Sequence, residues 1–355
     1  MDLQAVQAQT GFRPMNDTRL RELLLEGHVI PALPLALDES RRWSERHQRA
    51  LLRYYMEAGA GGLAVAVHST QFAIRNAEHG LFGPVLKLAA AEMNERAGSD
   101  FLRIAGVCGR TEQAMEEAQL AASLGYHAAL LSPGAWLHAD EEAFLDHCHA
   151  VAEVIPVIGF YLQTAVGGRV FSYNFWRRFA EIPRVVAVKI APFNRYQTFD
   201  VIRALNDSGR DDIALYTGND DSIITDLLTI WPGGRVVAGG LLGQWGVWTR
   251  RAVEMLAELK TARTQSQVSS EWLTKNAALT DANAAVFDAA HHFHGCIPGI
   301  LEVLRRQGLV PSVCCLDPAE TLSPGQAEEL TRVAGAYPWL TDDAFVAENL
   351  HHWLS

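Results

Sequence analysis

Eight short apolar runs punctuate the chain between His28 and about residue 262, and nearly all are followed by a helical pattern. They are HVIPALPLAL from His28, GLAVAV from Gly62, LRIAGVC from Leu102, HAALLSP from His127, PVIGFYL from Pro156, VVAVKIA from Val185, IALYTG from Ile213 and RVVAGG from Arg235. Unbroken Val, Ile, Leu and Ala runs suit strands covered on both faces, which is the situation of a parallel sheet. Between them, SERHQRALLRYYMEAG offers Ser44 as an N-cap and closes on Gly59, while RTEQAMEEAQLAASLG offers Thr111 and closes on Gly125. ADEEAFLDHCHAVAEV and DDSIITDLLTIW continue the alternation. Eight such units predict an α/β fold, a (β/α)8 TIM barrel. The competitor, a doubly wound sheet, has fewer strands and needs a Gly-rich loop after the first one, and PLALDES is no such loop.

Strand signals stop near residue 262. TQSQVSSEW is a polar connector, and DANAAVFDAAHHF, GCIPGILEVLRRQGL and SPGQAEELTRVAGA read as helices. The expected organisation is an N-terminal extension (1–27), a barrel (28–262) and a C-terminal helical region (263–355). A chain of 355 residues can bury a core of that size. Its formal charge of -11 argues against nucleic acid or an anionic membrane as partner. MDLQAVQAQTGFRPMND has neither a basic start nor an apolar core and does not read as a signal peptide. Five cysteines, an odd number with no C-x-x-C, fit reduced thiols in the cytoplasm and show no zinc spacing.

In such a barrel the reacting groups sit at the C-terminal ends of the strands. Lys189, at the end of the sixth run, reads in two ways on the residues alone. It is a snorkelling or ion-paired lysine, or a desolvated amine able to attack a ketone and form a Schiff base. Tyr161 ends the preceding run at similar depth and reads either as an acid–base relay or as a core tyrosine. His68, Ser69 and Thr70 follow the second run and offer a carboxylate cradle or ordinary loop capping. Gly218, Asp220 and Asp221 follow the seventh; the acids suit substrate hydroxyls or an N-cap cluster. Gly239, at the end of the eighth, fits a phosphate loop or close strand–helix packing. The segment HHFHG, with His291, His292 and His294, lacks H-E-x-x-H, and its helical setting places it away from the barrel mouth, so no metal site is expected.

Several of these segments together resemble the dihydrodipicolinate synthase / N-acetylneuraminate lyase family of Schiff-base (β/α)8 enzymes. VIPALPLALDE resembles its first strand, AGAGGLAVAVHST its second strand and G-[ST]-T loop, PVIGFYL the strand carrying its tyrosine, and EIPRVVAVKIAPFN its lysine segment. YTGNDD resembles its G-x-[DE]-[DE] loop and IPGILEVLRRQGL a C-terminal helix, and the separation from Tyr161 to Lys189 is the one the family keeps. The resemblance implies that Lys189 forms an imine with a 2-oxo acid, typically pyruvate, that Tyr161 shuttles protons, and that Ser69 and Thr70 hold the carboxylate. No cofactor beyond the covalent imine is implied, and the family's habit is a homodimer or homotetramer.

The departures are specific. SPGAW puts Gly134 and Ala135 where the synthases carry a tyrosine, and Val166 stands where they place an arginine, the nearest being Arg169. Gln71 and Phe72 replace a Gly-Glu pair, and Asn194 replaces an acid after the lysine. These changes argue against dihydrodipicolinate synthase activity. The resulting reading is a Schiff-base lyase or aldolase acting on pyruvate or a pyruvate-derived 2-oxo sugar acid. A dehydratase of a deoxy-keto sugar acid using the same imine, and a catalytically silent ligand-binding barrel, stay open beside it.

Overall fold

The computed structural model describes residues 15–355; the first fourteen, and with them most of the segment weighed as a signal peptide, lie outside the described residues. Eight parallel strands form one sheet in the order β1-β8-β7-β6-β5-β4-β3-β2. They are β1 (Val29–Pro31), β2 (Gly62–Val65), β3 (Leu102–Val107), β4 (Ala128–Leu131), β5 (Val157–Leu162), β6 (Val185–Ala191), β7 (Ala214–Thr217) and β8 (Gly239–Leu242). A single parallel bridge, Ala32 to Ala64, brings β1 to β2 and closes the ring. This is the expected TIM barrel, with helices around it and a C-terminal helical region.

Two boundaries differ from expectation. The last strand begins at Gly239, where the run RVVAGG ends, because only glycine fits there: a Cβ on Gly239 would lie 2.4 Å from the His28 carbonyl oxygen. Gly239 therefore sits at the bottom of β8, beside the start of β1, and the mouth end of that strand is Leu242. Thr111 is the first residue of its helix and not its cap, which is Arg110.

The N-terminal extension contains a helix that the sequence reading passed over, α1 (Asp17–Glu26). Asn16 caps it by accepting from the Arg19 amide at 2.8 Å. Leu20, Leu23 and Leu24 lie on one face and join the barrel's interior cluster. Arg21 donates to the Val185 and Pro183 carbonyls at the start of β6, and Tyr216 donates to the Leu24 carbonyl at 3.0 Å. The helix plugs the bottom of the barrel.

Three further helices, α2 (Glu45–Glu57), α3 (Phe82–Arg96) and the final one, α4 (Asp343–Trp353), meet at a buried cluster of charges on the barrel wall. Glu92 on α3 is buried and accepts from Arg49 at 2.6 Å, Arg53 at 3.1 Å and Arg96 at 3.2 Å. Arg53 also donates to the carbonyls of Trp353 and Ser355, tying α4 to the barrel wall. All five cysteines are free. Among the described residues no helix is long and apolar enough to cross a membrane.

Candidate active site

Side chains on each strand alternate between the lumen and the helix layer. On β5, Ile158, Phe160 and Leu162 join the lumen cluster, whereas Val157 and Tyr161 join the outer core. On β6, Ala187 and Ala191 face inward with Lys189 between them, whereas Val188 and Ile190 face outward. A register shift separates the two halves of the β5–β6 ladder: Val157 pairs with Val185, but Ile158 pairs with Ala187. Val186 is the extra residue of a bulge, and beyond it every pair is displaced by one. Phe160, not Tyr161, consequently lies opposite Lys189.

This overturns the pairing of Tyr161 with Lys189. The Tyr161 ring packs against Phe171 and Trp176 in the outer core. Its hydroxyl meets the Phe171 backbone, the carbonyl at 3.5 Å and the amide at 3.4 Å. Phe160 takes the lumen position, its ring centroid 4.3 Å from Lys189 Nζ.

Lys189 is 9% exposed and has no hydrogen-bond partner among the described residues. Burial pulls its pKa down to about 8, although the nearby charge of Asp220 favours the ammonium. It opens into a cavity of about 70 Å³ whose wall includes His68, Ser69, Phe160, Gln163, Val166, Phe193, Gly218, Asp220, Gly243 and Cys296. Gly218 is there for space, since a Cβ would lie 2.7 Å from the lysine Cε. Burial pushes Asp220 up to about 7, with Lys189's charge pulling the other way. Burial, and after it Lys189's charge, hold the His68 imidazole down to about 4, a neutral ring at physiological pH.

The structure thus gathers Lys189, His68, Ser69, Gly218 and Asp220. Thr70, Asp221 and Gly239 are not part of the cavity wall. The Thr70 hydroxyl donates to the Leu33 carbonyl at 2.6 Å and accepts from the Val67 amide at 3.2 Å, so it braces the turn. Burial, and after it the charge of Asp226, raise the pKa of Asp221. Gly239 lies at the far end of β8. Of the altered positions, Val166 lines the cavity, Asn194 caps the helix after β6, and Arg169 is held by the carbonyls of Trp136 and Ala139, 2.7 Å each.

Three features escaped the sequence reading. The buried Asp226 accepts from Thr217 at 2.6 Å, from Asn219 at 2.9 Å and from Arg195, and Asn219 accepts from the Phe193 amide at 3.0 Å. This network sets the loop after β7 and holds Phe193, at a φ of 53°, against the cavity. Cys296 enters from the C-terminal helices. The histidine segment, placed away from the mouth by sequence, in fact roofs it. His291, His292 and His294 line an outer cleft of about 640 Å³ with His68, Gln71, Phe72, Asp317 and Glu320. Asp288 folds that turn back by accepting from Gly295 at 2.9 Å and Ser323 at 2.5 Å. Among the described residues no group of three or more His, Cys, Asp or Glu could hold a metal ion.

A family model described as the dihydrodipicolinate synthetase family matches residues 26–335. The 4-hydroxy-tetrahydrodipicolinate synthase of Acaryochloris marina is 30% identical over 170 residues, 47% of this chain. That match spans only 54% of the Acaryochloris protein. The same-named protein of a Cyanothece species is 29% identical over 224 residues, 61% of this chain and 71% of its own. N-acetylneuraminate lyase from Fusobacterium nucleatum superposes with a TM-score of 0.70 at 17% identity, covering 88% of this chain and 99% of the lyase. A prophage protein of the dihydrodipicolinic acid synthase family from E. coli K12, solved with pyruvate, gives 0.72 at 16% identity, covering 87% and 98%. At those identities the structural likeness concerns the fold.

Proposed function

The chain belongs to the dihydrodipicolinate synthetase family, and from that premise we propose that it is a lyase that captures a 2-oxo acid as an imine on Lys189. The observation that carries this reading is the lysine itself: buried, held near neutrality, without a hydrogen-bond partner among the described residues, and aimed into a closed-bottomed cavity. A neutral amine there attacks the 2-oxo carbon, and loss of water leaves a protonated imine. The imine accepts the electron pair of a carbon–carbon bond that breaks one carbon beyond the former carbonyl carbon, leaving an enamine. The Ser69 hydroxyl, which makes a long 3.3 Å bond to the Leu33 carbonyl, turns to donate to the carboxylate when a 2-oxo acid binds.

Among the described residues Lys189 is the one Lys or Arg in the wall of the cavity, and the outer cleft adds only histidines and the acids Asp317 and Glu320 as charged or titratable groups. That lining suits a substrate with one carboxylate and a hydroxylated distal half better than a second acid group. It supports a 2-oxo sugar acid over the substrates of a dihydrodipicolinate synthase.

The test is reductive trapping. Pyruvate with borohydride adds a stable mass to the Lys189 peptide, and the trapping rate rises from acid pH as the ammonium gives up its proton. No adduct with pyruvate or with a panel of 2-oxo sugar acids would end the reading. With a turned-over sugar acid, pyruvate release identifies a carbon–carbon lyase, and loss of water with the carbon chain intact identifies a dehydratase.

Tyr161→Phe serves as the control for the site's geometry. Removing a hydroxyl that meets only backbone in the outer core is expected to cost at most about 1 kcal/mol of stability. The trapping rate should stay that of the native protein; a large drop would return the phenol to the reacting centre.

A further inference from the structure

Imine chemistry needs a group that gives a proton to a departing hydroxyl and then takes one back. The phenol expected to do this points out of the lumen, and a hydrocarbon ring stands in its place. Besides Lys189, the wall of the cavity holds, among the described residues, three side chains that carry a titratable proton: His68, Asp220 and Cys296. Resting on the proposed imine at Lys189, we infer that Asp220 is the acid–base residue of this site.

The geometry supports Asp220 in three ways. It stands on the loop after β7, the strand hydrogen-bonded to β6, so its carboxyl approaches the amine from the adjacent strand. Its loop is anchored: the Asp220 carbonyl accepts from Asn283 Nδ2 at 2.6 Å, and Oδ1 receives a long contact of 3.4 Å from the Gln244 amide. The second carboxyl oxygen, Oδ2, receives no hydrogen bond from another residue among the described residues, which leaves it for a ligand.

The other candidates are poorly matched. Burial and the neighbouring acids keep the Cys296 thiol protonated, which removes it as a base. His68 stays neutral at physiological pH and offers no imidazolium to protonate a hydroxyl. Asp220 is poised to do both, because burial lets it hold a proton near neutrality while the ammonium of Lys189 favours its release. The charged or titratable groups around it are Lys189 on β6, Asp221 on its own loop, Cys296 from the C-terminal helices and His68 across the cavity.

The steps balance. The neutral Lys189 amine forms the C–N bond, and the carboxyl carries the amine's surplus proton to the carbonyl oxygen, giving a carbinolamine. Protonated Asp220 then donates to the carbinolamine hydroxyl; the C–O bond breaks, water leaves, and the nitrogen lone pair completes C=N. The resulting carboxylate takes the proton of the hydroxyl two carbons beyond the imine carbon. The bond from that hydroxyl-bearing carbon to the carbon next to the imine breaks, an aldehyde departs, and the electron pair flows through the new carbon–carbon double bond to the imine nitrogen.

The test measures the trapping rate with pyruvate and cyanoborohydride across pH for the native chain, Asp220→Asn, Asp220→Glu and His68→Gln, with circular dichroism checking the fold. In the native chain trapping needs Lys189 without its proton and Asp220 with one, so the rate is a bell with its maximum between about 7 and about 8, falling on the acid side as Lys189 keeps its proton and on the alkaline side as Asp220 loses its own. Asp220→Asn is expected to slow trapping about 100-fold or more. It should also erase the falling limb, so that the rate climbs with pH to a plateau as Lys189 alone gives up its proton. Asp220→Glu should restore the falling limb, which a purely structural role would not require. An unchanged rate and bell in a folded Asp220→Asn, or loss of the falling limb in His68→Gln instead, overturns the assignment while leaving the imine intact. No adduct on the native chain overturns both.

Discussion

Lys189→Met is expected to abolish the reductive adduct and to lower turnover by about 10⁴-fold or more, since the residue proposed to form the covalent bond has no substitute in the cavity wall among the described residues. The variant should fold. Its neighbours Phe160, Ala187 and Ala191 are apolar, and the native amine has no hydrogen-bond partner to strand. Replacing a buried charge by an apolar chain of similar length is neutral or stabilising when nothing else is left unpaired. Loss of the adduct together with an unchanged or raised melting temperature is the result to look for. Persistence of the adduct on another lysine would move the reacting centre elsewhere.

Glu92→Ala is expected to cost about 3–5 kcal/mol of folding free energy, the largest stability loss predicted for a surface-distant residue that touches no substrate. Three guanidinium groups converge on that carboxylate, and Arg53 is nearly as buried as Glu92 itself. Removing the carboxylate leaves Arg53 held only by the carbonyls of Trp353 and Ser355. The docking of α4 on the barrel should therefore loosen as well. Urea unfolding followed by tryptophan fluorescence reads both effects, because Trp353 is fully buried in the native chain. A shift in midpoint worth less than about 1 kcal/mol would show that the cluster is solvated and that the carboxylate acts as an ordinary surface partner.

The strands were legible because a parallel strand buried on both faces has to be a continuous apolar run, and all eight runs became strands or ran into one. RVVAGG misled by one strand-length: Val236 and Val237 look like strand interior, yet the ladder starts at the glycines, where close contact with His28 leaves no room for a Cβ. The helix at Asp17–Glu26 had readable signals, an Asn cap and leucines at helical spacing, but those leucines needed an open barrel end to cover. Lys189 stood out because a cation in an apolar strand demands a reason. Tyr161 could not be judged by spacing alone, since one unpaired residue at Val186 reverses which letter of the adjacent strand faces the lysine. Counting alternation back from Lys189 and forward from Ile158 would have exposed the conflict only if the bulge were known. The histidine roof and the Asp226 network are tertiary facts, made by segments far apart in sequence, and no local pattern announces them.

The helix that plugs the barrel bottom turns the cavity into a flask with a single neck. Traffic must then be ordered. On the proposed imine, the fragment bonded to Lys189 lies deepest, so the part split from it has to leave first, and the bonded part can be hydrolysed off and depart only once the neck is clear. Water for that hydrolysis comes down the same passage, under the roof of His291, His292 and Phe293.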